Sequence, residues 1–117
     1  MLNYNYTNFK NLSDLRKTYP ALASNMEQAI KPGDWKNDTL YFWPTLADWA
    51  KYEVLEGKYC NLLDQENVDI DFQDLPNLWN YLDFHKLGED LKKSVNPGNY
   101  FIDRNTNYIV STDNIFE

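Results

Sequence analysis

The sequence predicts an α+β fold: a short N-terminal helical segment over residues 1–37, then a small antiparallel sheet with packed helices over 38–117. Three observations carry that prediction. Helix signals with apolar i, i+4 spacing fill the first third, a β-rich run ends at a proline in the middle, and a hairpin signature stands near the C-terminus. At 117 residues the chain suffices for a single core, since domains typically run to about 100–150 residues.

In Leu12-Ser13-Asp14-Leu15-Arg16, Ser13 is the expected N-cap of a first short helix. Pro20 suits the first turn of the next helix, with Thr18 or Tyr19 before it. That helix, ALASNMEQAI, sets Leu22, Met26 and Ile30 on one packing face and ends at Lys31-Pro32-Gly33. Thr39–Trp43 is rich in strand formers and stops at Pro44. Thr45 then caps a helix, with Asp48 in the place a capping box gives to Glu; Leu46, Trp49, Ala50 and Leu55 share its inner face, and Gly57 fits its C′ position. In residues 68–74, VDIDFQD, Val68, Ile70 and Phe72 alternate with Asp69, Asp71 and Gln73 and Asp74 follows, a pattern that reads as a strand or an extended loop. Asp74-Leu-Pro opens a helical turn, and Asp83 caps FHKLGEDLKKS, whose Lys92 and Lys93 sit where the helix dipole favours cations. Tyr100–Arg104 and Tyr108–Ser111 flank Asn105-Thr106-Asn107 as a hairpin.

The net charge of −7 is a local block. Acids and bases cancel over residues 1–63 and again over 91–117. The excess lies in 64–90, where Asp64, Glu66, Asp69, Asp71, Asp74, Asp83, Glu89 and Asp90 face Lys86 alone. Such a field repels nucleic acid, so nucleic acid is not an expected partner, and it attracts basic surfaces. No segment approaches the roughly 20 apolar residues of a membrane span, so no membrane partner is expected. Cys60 is the only cysteine, which excludes an internal disulfide and a cysteine metal cluster.

Catalytic patterns are thin. His85 is the single histidine, with Asp83 near it but no second histidine for a ligand pair. The four glycines form no phosphate loop. Asp69 and Asp71 resemble the start of a calcium loop, yet no turn glycine and no closing Glu follow. The expectation is a non-enzyme without cofactor or metal. Alternate strand residues lie about 6.6 Å apart, comparable to successive phosphates along one DNA strand, so Asp69 and Asp71 would present charges at a DNA-like pitch if this stretch is a strand.

The stretch LWNYLDFHKLGEDL, residues 78–91, resembles the antirestriction motif of the ArdA-type antirestriction proteins at Leu78, Asn80, Tyr81, Leu82, Asp83, Phe84, Gly88, Asp90 and Leu91. The flanking TLYFWPTLADWAKYEVLEG, the terminal NYFIDRNTNYIVSTDNIFE and the upstream FKNLSDL are similar to family segments too. The resemblance covers the later two-thirds of a full-length member, so the family's first domain is expected to be missing. Glu89 stands where the family commonly has Arg, and Leu87 where it has an aromatic.

The resemblance implies an acidic, dimeric DNA mimic that occupies the DNA-binding groove of type I restriction–modification enzymes, carried on a mobile genetic element or phage and acting in the cytoplasm of a bacterial host. The eight acids of 64–90 are its candidate mimic surface. Trp79, Asn80, Tyr81, Leu82, Phe84, Leu87 and Leu91 are candidate homodimer contacts; the aromatics among them suit a protomer's own core equally well. Two alternatives remain open at this point: an anti-CRISPR protein blocking the DNA or PAM channel of a CRISPR effector, and an acidic adaptor for another basic protein.

Overall fold

A computed structural model of the chain describes residues 3–57, 78–94 and 100–113. Among the described residues four antiparallel strands form one sheet: β1 (Thr7–Phe9), β2 (Leu40–Trp43), β3 (Phe101–Ile102) and β4 (Ile109–Thr112), in the order β1-β2-β4-β3. Four α-helices accompany it among the described residues: α1 (Leu12–Thr18), α2 (Pro20–Ala29), α3 (Leu46–Leu55) and α4 (Phe84–Ser94). The fold is α+β, as the sequence predicts.

Strand alternation divides the core in two. Leu40, Phe42, Val110 and Phe101 point to one face of the sheet, where Leu12 and Leu15 of α1 and Leu22, Ala23 and Met26 of α2 cover them. Tyr41, Trp43, Ile109 and Ile102 point to the other, beneath Trp49, Ala50 and Val54 of α3 and Phe84 and Leu91 of α4. Each fully buried large apolar side chain contributes about 1.5–3 kcal/mol. Covering on both faces explains why β2 reads LYFW, an unbroken apolar run, instead of alternating with polar residues.

The segment expected to be helical also supplies β1, which pairs Thr7 with Phe42 and Phe9 with Leu40. Of its three residues only Phe9 is buried. The strand exists because β2 offers it an edge, and no local pattern announces that. The first helix cap also differs from expectation. Asn11, not Ser13, is the N-cap: its side-chain oxygen accepts from the Asp14 N–H at 3.0 Å, while Asp14 accepts from the Lys10 N–H at 3.0 Å. Asn11 is extended, as a cap residue must be, and Ser13 already lies inside the helix.

Other signals match. Tyr19 and Pro20 open α2, and Leu22 and Met26 are buried with Ile30 packed against them. Thr45 caps α3, its hydroxyl oxygen accepting from the Asp48 N–H at 3.1 Å. Asp48 does more than close a capping box: it accepts the Thr45 hydroxyl at 2.7 Å and the Asn5 N–H at 2.9 Å, so the buried carboxylate ties the chain ahead of β1 to the start of α3. The β3–β4 hairpin turns through Asn107 at φ 60°, a left-handed conformation that asparagine tolerates.

Candidate functional site

The stretch 78–91 begins in a short 3-10 turn, Leu78–Tyr81, and runs into α4. Asp83 caps that helix as expected, its Oδ1 accepting from the Lys86 N–H at 3.0 Å. Phe84, Leu87 and Leu91 fall at i, i+3 and i+7, so they share one side of α4 and pack into the core with α3. Lys51 of α3 places its Nζ 5.6 Å from the centroid of the Phe84 ring, within cation–π range. Gly88 is buried on the same side. A Cβ there would stand 2.5 Å from the Leu46 carbonyl oxygen, so glycine at this position sets the approach of the two helices.

His85, Lys86, Glu89 and Asp90 occupy the exposed side. Lys86 Nζ reaches both Asp90 oxygens, at 3.1 and 3.3 Å, and His85 Nε2 lies 3.0 Å from Glu89 Oε1. Both are i, i+4 pairs, and the Lys86–Asp90 ion pair is worth about 0.3–0.5 kcal/mol when solvated. Their larger effect is electrostatic: Lys86 offsets the charge of Asp90. Asp83, also exposed, stands at the N-terminal end of this side, and Lys92 and Lys93 are exposed in the last turn, so Asp83, Glu89 and Asp90 are matched by three lysines along α4.

The acid candidates therefore divide. Asp83, Glu89 and Asp90 come together on and before α4, whereas Asp64, Glu66, Asp69, Asp71 and Asp74, with the strand-or-loop alternative at 68–74, lie outside the described residues. The dimer candidates divide as well. Phe84 and Leu91 are buried within the protomer and Leu87 half-buried, so packing against α3 accounts for them without a second copy. Asn80, Tyr81 and Leu82 are exposed, Tyr81 by 72% and Leu82 by 43%. Trp79 lies in the same turn as Asn80 and Tyr81.

One exposed aromatic was not legible as a surface residue. Tyr6, 42% exposed, stands among Tyr41, Tyr52 and Trp43. The signal available was the Tyr-Asn-Tyr alternation at 4–6, which puts Tyr4 and Tyr6 on one side of an extended chain.

Among the described residues, no three His, Cys, Asp or Glu converge to hold a metal ion, and no helix is long and apolar enough to cross a membrane. Comparison with protein-family models, with curated proteins and with solved structures finds no match. A functional reading therefore rests on these residues and their placement.

Proposed function

We propose that this chain is a non-enzymatic inhibitor that occupies the DNA-binding cleft of a defence nuclease, presenting carboxylates where DNA presents phosphates. A type I restriction–modification enzyme in the cytoplasm of a bacterial host is the first target. The observation that supports this reading is the division of labour on α4. Its apolar residues serve the core, while Glu89 and Asp90 face solvent behind the Asp83 cap, at the end of the acidic block that begins at Asp64.

The mechanism is competitive. Carboxylates pair with the Arg and Lys of the cleft through charge-assisted hydrogen bonds, and the local negative field speeds encounter. Many exposed acids share the work, so each contributes little. Asn80, Tyr81 and Leu82 offer the surface through which a second copy would align two acidic stripes about a two-fold axis.

The test is cleavage of unmodified DNA by a type I restriction enzyme, titrated with this protein and repeated with excess non-cognate duplex. Stoichiometric inhibition that weakens with added duplex and salt supports the proposal. Full cleavage at saturating protein would overturn it for this target, and the same titration against a guide-loaded CRISPR nuclease then tests the alternative.

A further inference from the structure

A row of tyrosine rings crosses the side of the sheet that α3 packs on. Tyr41 of β2 contacts Tyr6 at a centroid distance of 6.2 Å, Tyr6 contacts Tyr52 of α3 at 6.4 Å, and Tyr52 contacts Tyr4 at 6.1 Å. Tyr41 and Tyr52 lie within 12° and 19° of parallel to Tyr6. Trp43 forms the floor: it is buried, with its ring 5.5 Å from Tyr6 and 4.9 Å from Tyr52. Each end of the row carries a carboxylate. The Tyr41 hydroxyl donates to Asp113 Oδ2 at 3.0 Å, and the Tyr4 hydroxyl donates to Glu56 Oε2. Both acids are exposed.

This arrangement has a definite chemistry. Ring faces are negative, and a floor of packed aromatics holds them in place. A carboxylate that accepts one phenol hydrogen bond keeps lone pairs for further donors. Burial raises the Tyr4 phenol pKa, with Glu56 adding to it, and the hydrogen bond to Asp113 followed by burial raises that of Tyr41, so both hydroxyls stay protonated as donors that pin the acids. A cation that is flat and carries several donors suits such a strip better than a compact ammonium: guanidinium stacks on a ring and forks to a carboxylate.

We propose that the row Tyr41–Tyr6–Tyr52–Tyr4, ended by Asp113 and Glu56, is a docking strip for arginine side chains on a basic protein partner. Tyr6 is the most exposed of the four, at 42%, and is the ring a guanidinium reaches first. The inference goes beyond the inhibitor reading, because it concerns residues ahead of β1, in β2 and in and after α3, outside the 78–91 stretch, and holds for any arginine-bearing surface.

The test needs no nuclease, so its outcome is separate from that of the cleavage assay. A short peptide carrying two arginines and its two-lysine counterpart are titrated into the full chain at matched salt, with amide shifts recorded by NMR. The arginine peptide should bind about 2- to 5-fold more tightly, the range a solvent-exposed cation–π contact supports, and should shift the amides of Tyr6, Tyr41 and Tyr52. Tyr6→Ala should abolish the preference and Tyr6→Phe should keep it. Glu56→Gln with Asp113→Asn should weaken both peptides, which gives a readout even if Tyr6→Ala fails to fold. Equal affinity for the two peptides, or shifts confined to other surfaces of the wild-type chain, would overturn the proposal.

Discussion

Gly88 of α4 lies so near Leu46 of α3 that a Cβ on it would meet the Leu46 carbonyl carbon at 2.8 Å and its oxygen at 2.5 Å. The obstacle is backbone, which cannot rotate away as a side chain tip does. Gly88 therefore has a packing reason of its own: it seats α4 on α3.

Gly88→Ala should destabilise the fold despite alanine's better helix propensity. Overpacking costs about 1–3 kcal/mol, and the propensity gain offsets up to about 1 kcal/mol of it. A net loss of about 1–2 kcal/mol would lower the Tm by several degrees. Thermal unfolding followed by circular dichroism checks this, and an unchanged or higher Tm would contradict the close approach.

Tyr100 donates its hydroxyl to Glu53 Oε1 at 2.6 Å, and Glu53 is 1% exposed. Tyr100→Phe should cost about 1–3 kcal/mol, the range for removing the donor from a buried acceptor. It should also change the response to alkali. Burial, reinforced by Glu53, holds the Tyr100 phenol well above its ordinary value, whereas in the unfolded chain it titrates near pH 10. A raised folded pKa means the associated stability is fully present below about pH 10 and is lost as pH rises beyond it. Urea midpoints at pH 8 and at about pH 11 should fall further for the wild type than for Tyr100→Phe. Equal falls would remove Tyr100 as a source of the slope.

Lys86 is the single base within 64–90 and is paired with Asp90. Lys86→Gln should leave stability within about 0.5 kcal/mol, since an exposed i, i+4 pair is worth no more. If the acids imitate phosphates, inhibition should improve about twofold or more at low salt, because Asp90 loses its local counter-charge. Weaker inhibition would mean that Lys86 contacts the target or that the field is not what binds.

How much was legible depended on whether a signal was local. The Thr45 and Asp83 caps, the proline that ends β2 and the Asn-rich hairpin turn all act through neighbours in sequence, and each stands where the sequence places it. β1 was hidden because three residues, two of them polar and exposed, become a strand only when β2 lies alongside. Asn11 and Ser13 are both sound capping residues two positions apart, and propensity alone does not choose between them. The site shows the same limit. The spacing of Phe84, Leu87 and Leu91 declares an apolar side but not its partner, and an identical stripe would serve α3 or a second copy. The Tyr6 row joins residues from the chain ahead of β1, from β2 and from α3, which no spacing rule connects.

The most direct measurement compares the wild-type chain with a variant in which Asp69, Asp71 and Asp74 become Asn, Glu89 becomes Gln and Asp90 becomes Asn, by the concentration that half-inhibits type I cleavage. Single acid-to-amide changes should shift that concentration little, while the five-fold variant, with its fold verified by circular dichroism, should lose inhibition. Equal potency of the five-fold variant and the wild type would contradict mimicry of the phosphate backbone.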